Sequence, residues 1–355
     1  MAKRSFYVKD SELDDYQVKV INKKTDHSYI VKGCAGSGKS ILALWKAKQI
    51  QEGGKGSYLY VVYTKALRQY MSDGIKQVGL RESNVVNFDA CFQWEKNDYG
   101  EFQRGVWKKG SYDYVIVDEA QDFSRDDIEL LKSKTRKALL VYGDTAQQLY
   151  KFLKDKQTVS MEDIQYFTKF PVEQLVFNHR LPKKIARVAQ YLNSESDELE
   201  ERCTEEGTEK PKILKYNTKQ EQFAAIANLI KNKGMEDVGI LFRNNNEVDE
   251  AYDYFTNKGI EVEAKSHRHK DELDFTSDNP KLMTYHSSKG LQFENVFIPE
   301  CTAEGADDRN PLYVAITRTY RSLYIMHSGN LSCFFDDVPT DLYDDSLSTG
   351  PTLTL

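Results

Sequence analysis

The sequence has no long apolar run. Its most hydrophobic stretches, such as 115–117 and 139–142, are only a few residues each. A membrane-spanning helix needs about 20 consecutive apolar residues, so none is expected. The opening Met1-Ala2-Lys3-Arg4-Ser5 leads into charged and polar residues rather than an apolar core, so no secretory signal is expected either. Cysteine pairs are also missing. Cys34, Cys91, Cys203, Cys301 and Cys333 are scattered and never spaced CxxC, which argues against a disulfide framework or a zinc site. Reduced thiols in a cytoplasmic protein fit them better. There is no surplus of positive charge: 49 Lys and Arg against 55 Asp and Glu give −6. That is not the balance of a bulk nucleic-acid binder. The acidity gathers in 195–206 and 336–345, however, and leaves room for a local basic groove elsewhere. No repeat of fixed period is present. His267-Arg268-His269 has no acid or thiol positioned to complete a metal site, so it reads as a solvated loop.

A chain of 355 residues with 40% apolar content suits two globular domains, each with its own core. Short β-rich runs alternate with helical stretches, the pattern of parallel sheets covered by helices. In the first half, strands are expected at 29–32, 58–64, 84–88, 114–118 and 138–143, with helices at 41–51 and 65–78. Ser124 followed by Asp127 reads as a capping box opening a helix over 125–134. A second α/β run begins near Pro171, with strands expected at 174–177, 212–216, 238–242, 260–264, 281–285, 295–298 and 323–327. Residues 154–163 look like the linker, 193–210 like a loop or mobile excursion, and 336–355 like an acidic, flexible tail. The expected domains are therefore 1–165 and 166–335.

Gly33-Cys34-Ala35-Gly36-Ser37-Gly38-Lys39-Ser40 matches the phosphate-binding pattern G-x-x-x-x-G-K-[ST] between a strand and a helix. Glycines let backbone N–H groups curl around phosphate oxygens, and the helix N-terminus adds its positive end. Lys39 would reach the β- and γ-phosphates of ATP, and Ser40 would hold Mg²⁺. Val115-Ile116-Val117-Asp118-Glu119 is a buried strand ending in two acids. Asp118 suits Mg²⁺, and Glu119 suits orienting or deprotonating the attacking water.

From here the motifs resemble those of superfamily 1 helicases, in the family's order. Asp118-Glu119-Ala120-Gln121-Asp122 resembles motif II and Gly143-Asp144-Thr145-Ala146-Gln147 motif III. Asn178-His179-Arg180 resembles motif IV, His286 to Phe293 motif V, and Tyr313-Val314-Ala315-Ile316-Thr317-Arg318 motif VI. Gln17 falls in a segment similar to the Q motif, where it would read adenine. The subtype resembles the UvrD/Rep branch. The resemblance implies an α/β fold of two RecA-like lobes with largely parallel sheets and ATP in the cleft. It implies a catalytic set of Lys39, Asp118, Glu119, Gln147, Arg180 and Arg318, with His179 and Gln292 beside the nucleoside. His179 stands in place of the usual stacking tyrosine, and Gln292 in place of a ribose-contacting glutamate.

Single-stranded nucleic acid, DNA rather than RNA, is the implied track. Its contacts would be Tyr63, Thr64, Tyr150, Phe152, Arg243, Asn245 and His286. The alternative for Phe152 and Tyr63 is a place among the core aromatics, and His286 serves equally well as an internal hydrogen-bonder. Asp89 faces the expected phosphate path unfavourably. Only residues 89–113 separate Phe88 from Tyr114, and only 244–279 separate Arg243 from Pro280. Large accessory subdomains do not fit there. The expectation is a minimal 3′-to-5′ translocase or helicase core that needs a protein partner for loading, nuclease action or strand separation. The alternative is an ATP-driven regulatory switch subunit, for example of a defence system, with little motor activity.

Overall fold

A computed structural model of the protein describes residues 12–97, 99–144, 157–193, 198–302 and 305–347. The chain divides into two units, Met1–Asn178 and His179–Leu355. The strands of the first unit are β1 (Tyr29–Gly33), β2 (Tyr58–Val62), β3 (Val85–Asn87), β4 (Phe92–Lys96), β5 (Phe102–Trp107), β6 (Tyr112–Val117), β7 (Thr135–Gly143) and β8 (Val172–Leu175). Six of them form one sheet in the order β3-β2-β6-β7-β1-β8, and every pairing is parallel. The composition explains why. Tyr58–Val62 is buried at every position, as a strand covered on both faces must be. Helices α1 (Asp15–Asn22), α2 (Lys39–Glu52), α3 (Lys65–Tyr70), α4 (Ser72–Val78), α5 (Arg125–Ser133) and α6 (Met161–Thr168) complete the unit. The Ser124–Asp127 capping box that opens α5 is present. One core cluster joins Leu59, Val61, Val115, Val117, Leu139 and Val141 to Phe88 and Phe123.

The second unit contains α7 (Lys183–Ala189), α8 (Leu199–Arg202), β9 (Lys212–Lys215), α9 (Lys219–Lys233), β10 (Val238–Phe242), α10 (Asn245–Asn257), β11 (Glu263–Lys265), β12 (Lys281–Thr284), β13 (Phe293–Ile298), α11 (Arg309–Ile316) and β14 (Thr319–His327). Its sheet runs β11-β12-β10-β13-β14-β9, again parallel throughout. Ile240, Phe242, Leu282, Phe297 and Tyr324 pack beneath Phe223 and Phe255.

Four expectations about organisation change. The division falls after Asn178 rather than after residue 165, because β8 pairs with β1 and closes the edge of the first sheet. Helix α6 begins inside the expected linker, at Met161, and buries Met161 and Ile164 in the first core. The acidic excursion is ordered over residues 198–210. Glu205 and Glu206 carbonyls accept from the Lys183 and Lys184 amides, and Arg187 pairs with Glu200 and Glu206. Finally, the tail is docked as far as Asp344. The Asp344 carbonyl accepts from the Ile213 amide and its own amide donates to Pro211, extending the β9 edge, while Lys212 pairs with its carboxylate. Residues 194–197 and 348–355 lie outside the described residues.

One element was not anticipated. β4 and β5 form an antiparallel hairpin in the interval between β3 and β6. It exposes Trp94, Tyr99, Phe102 and Val106.

Candidate nucleotide-binding and catalytic site

A parallel sheet brings the carboxyl ends of all its strands to one rim, where ligands are bound in open α/β folds. In the first unit that rim carries the loop after β1, Tyr63 and Thr64 after β2, Asp118 and Glu119 after β6, and Asp144 after β7. The phosphate loop turns through Gly36 at φ 76° and Gly38 at φ 84°, left-handed conformations that favour glycine. A Cβ on Gly33 would lie 2.5 Å from Ser37 Oγ, and one on Gly38 would lie 2.8 Å from Gln17 Nε2. Lys39 is buried and crosses the loop, with Nζ donating to the Gly33 and Cys34 carbonyls at 2.7 Å. Ser37 Oγ is buried with no hydrogen-bond partner among the described residues. A cradle of backbone amides with a buried cation and an unmet hydroxyl fits a polyphosphate. Gln17 braces it. Its Nε2 donates to the Ser37 carbonyl at 3.1 Å, while its Oε1 accepts from the Asp14 amide in the α1 capping box.

Asp118 is fully buried at the end of β6. Burial pushes its carboxyl up to about 6, helped by the neighbouring Glu119 charge and opposed by hydroxyls of Ser40 and Tyr60 and by Lys39. The Tyr60 hydroxyl donates to Asp118 at 2.9 Å. Ser40 and Asp118 therefore meet, as a shared Mg²⁺ requires. A divalent cation there would favour the ionised carboxylate that burial disfavours. Glu119 adopts φ 54°, a left-handed conformation that costs a non-glycine residue about 1 kcal/mol. Gln121 Nε2 donates to its Oε2, and Gln121 Oε1 accepts from the Asp144 amide at 3.0 Å.

Sequence reasoning missed the parts played by Tyr60, Gln121 and Arg104. Arg104, on β5, donates to Asp89 at 2.6 Å and 2.9 Å and to Asp127 at 3.1 Å. Asp89 therefore stands neutralised beside the expected strand path. Nearby, Tyr63 packs edge-on against Phe123, and Thr64 caps α3 by accepting from the Leu67 amide. Gln147, Tyr150 and Phe152 lie outside the described residues.

In the second unit the motif residues sort onto opposite rims of the sheet. Arg243, Asn245 and His286 lie just past the carboxyl ends of β10 and β12. Arg243 pairs loosely with Asp308 at 3.8 Å. Burial, and then Lys289, hold the His286 imidazole below its ordinary range, which favours its neutral form. Gln292 and Arg318 lie at the opposite rim, before β13 and β14, where the Phe293 amide donates to the Arg318 carbonyl. Arg180 and Arg318 converge on Thr317. Arg180 Nη2 donates to its carbonyl and Arg318 Nη2 to its hydroxyl, both at 3.2 Å. Arg318 is fully buried, its Nε donating to the Val314 carbonyl. His179, Arg180 and Gln292 line one depression of about 380 Å³, together with Glu205, Thr208 and Tyr320. Residues 285–292 join the two rims.

Among the described residues, no helix is long and apolar enough to cross a membrane, and no group of three or more His, Cys, Asp or Glu could hold a metal ion.

Comparison with known proteins gives two family matches: an AAA domain over residues 17–153 and a UvrD-like helicase C-terminal domain over residues 281–326. A search of curated proteins finds no match. Among solved structures, the C-terminal domain of a possible DNA helicase from Lactobacillus plantarum aligns at 16% identity and TM-score 0.37, covering 47% of this chain and 97% of that one. Arterivirus nonstructural protein 10, a helicase, aligns at 17% identity and TM-score 0.42, covering 92% of this chain and 63% of that one. The phosphate-loop unit carries the first family match and the motif V–VI segment the second, in the order in which the motifs run, and together they support the resemblance to UvrD-like superfamily 1 helicases.

Proposed function

We propose that the protein is an ATP-dependent translocase or helicase core that moves 3′ to 5′ on single-stranded DNA and relies on a protein partner for efficient unwinding. The observation that carries the hydrolytic part is the meeting of Lys39, Ser40, Asp118 and Glu119 at one sheet rim. In this reading Lys39 and the loop amides bind the β- and γ-phosphates, and Gln17 borders the adenine. Ser40 and Asp118 hold Mg²⁺, which neutralises phosphate charge. Glu119 orients the attacking water and takes its proton. Arg180 and Arg318 grip the γ-phosphate charge as it develops, an effect worth roughly 10³–10⁵ in turnover in related systems. Loss of that charge on hydrolysis releases the grip and lets the strand advance. Gln147 senses the γ-phosphate. His179 and Gln292 border the nucleoside, and Tyr63, Thr64, Tyr150, Phe152, Arg243, Asn245 and His286 line the track.

The domain division serves the same reading. The phosphate loop and both acids lie in one unit, and both arginines lie in the other. The test is steady-state ATP hydrolysis with and without single-stranded DNA and RNA. DNA should raise turnover sharply and RNA less so. Glu119→Gln should bind nucleotide yet lose nearly all turnover. Hydrolysis indifferent to either polymer would favour a nucleotide-controlled switch and refute the motor.

A further inference from the structure

The first sheet has a second rim, where β2, β6 and β7 begin. Strands of five to nine residues hold it roughly 15–30 Å from the rim of the candidate site. Four of the six residues from Lys132 to Lys137 are basic and none is acidic, in a chain whose total is −6. Strand pairing gathers further lysines around them. Tyr112 pairs with Thr135 and its amide donates to the Lys134 carbonyl, so Lys109 stands three residues ahead of that junction. Lys137 Nζ donates to the Lys55 carbonyl at 2.7 Å, just before β2. At the other end, Lys132 Nζ lies 5.3 Å from the centroid of the Phe170 ring, just before β8. From β2 to β8 the sheet has four strand spacings, so the row extends roughly 20 Å.

Lys55, Lys132, Arg136 and Lys137 are exposed. Among the described residues, only Arg136 of this set forms an ion pair, with Asp113 at 3.3 Å, and Ser57 also donates to that carboxylate. Helix C-termini attract cations, and α2 and α5 both end here, which accounts for Lys55, Lys132 and Lys134. It does not account for Lys109, Arg136 and Lys137, which lie outside the helices. The rings among these lysines, Tyr112 and Phe170, pack against the first core, and the exposed ring of Tyr166 is covered by the Lys169 ammonium at 4.1 Å. A row of unneutralised charge with no open stacking platform suits a polymer whose phosphates lie outside and whose bases are already stacked.

We propose that this rim is a second nucleic-acid surface, which holds a double-stranded segment by its phosphates, apart from the single-strand track. Contacts of this kind position a duplex without reading its sequence. The choice of polymer rests on the helicase reading above; the surface itself does not depend on ATP hydrolysis at the other rim.

The test is fluorescence anisotropy of a short blunt-ended labelled duplex with the full chain, titrated across NaCl. The triple variant Lys55→Gln, Lys132→Gln, Lys137→Gln removes three charges and keeps hydrogen-bond donors. Each phosphate contact contributes about 0.9 to the slope of log affinity against log salt, so the variant's slope should be flatter by about 2.7. Raising salt from about 50 to about 200 mM should then weaken the wild type about 40-fold more than the variant. A control with the same loss of charge on the second unit, Lys215→Gln, Lys231→Gln, Lys258→Gln, should keep the wild-type slope. Changing the duplex sequence should leave affinity within about twofold.

An unchanged slope in the first variant, an equal change in the control, or no duplex binding by the wild type at low salt would each overturn the proposal. Displacement of the duplex by polyglutamate at equal charge would assign the surface to an acidic protein, and equal displacement by a single strand would remove the duplex from it. A wild type whose hydrolysis ignores oligonucleotide would sink the motor reading and leave the anisotropy to judge this one.

Discussion

Lys46 offers a sharp test of how α1 is held against the phosphate-loop helix. Its side chain is completely buried in α2, and Nζ donates to the carbonyls of Ile21 at 2.7 Å and Lys23 at 2.8 Å and to Gln49 at 3.1 Å. These bonds fasten the end of α1, the helix that carries Gln17, to the helix that begins at Lys39. Burial, and then the charges of Lys55 and Lys23, lower its amine to about 8. The unfolded chain keeps the same proton until about pH 10.4. Between those values the unfolded state binds more protons, so stability rises with pH there. From roughly pH 7.5 to pH 9.5 the gain is about 2 kcal/mol. For a unit of this size the slope in urea is about 2 kcal/mol per molar, so the midpoint should climb by about 1 M. All three tryptophans, Trp45, Trp94 and Trp107, lie in the first unit, so their fluorescence follows its unfolding alone. Lys46→Met should remove the climb, because the titrating group is gone while other groups titrate as before. Parallel midpoint shifts in the wild type and Lys46→Met would refute the reasoning.

Arg104→Ala should lower first-unit stability by about 2–3 kcal/mol, read from the same urea midpoint, because Asp89 and the largely buried Asp127 lose their counter-charge. Gly38 and Gly79 have similar positive φ values but different surroundings. Gly38→Ala should cut affinity for an ATP analogue about tenfold or more, by disturbing Gln17 and the loop. Gly79→Ala, whose Cβ meets open space, should cost about 1 kcal/mol in the urea midpoint and leave binding intact. Deleting residues 339–355 should destabilise the second unit by about 2–3 kcal/mol in circular-dichroism melts, since Lys212 would keep only Glu209, at 3.8 Å. A melt unchanged by the deletion would show that the docked segment contributes nothing.

The two parallel sheets were largely legible because strands covered on both faces must be continuous apolar runs, and the second strand and the Asp118 strand are among the clearest. The phosphate loop was legible because its glycines and lysine are local in sequence. What was hidden depends on pairing across distance. Nothing in the residues around Val172 announces that they hydrogen-bond to Ile30 rather than join the next sheet. The hairpin over residues 92–107 has charged and exposed positions that mask its alternation. The Asp89 carboxylate read as an obstacle because its partner Arg104 sits 15 positions away. Gln121 was legible as part of a motif, but its double hydrogen bond appears only once the strands lie side by side. The track residues beyond Asp144 stay at the level of sequence.

The crossing over residues 285–292 is fastened where it starts and where it stops. The Tyr285 amide bonds to Phe242, the Phe293 amide bonds to Arg318, and internal turns at Ser288 and Leu291 take up the interval. Such a segment has little slack. In the proposed motor, a phosphate touching His286 would act on one end of a short hydrogen-bonded path whose other end is Gln292. Its length is therefore as consequential as its chemistry, since one inserted residue would have to break or shift the turns at Ser288 and Leu291.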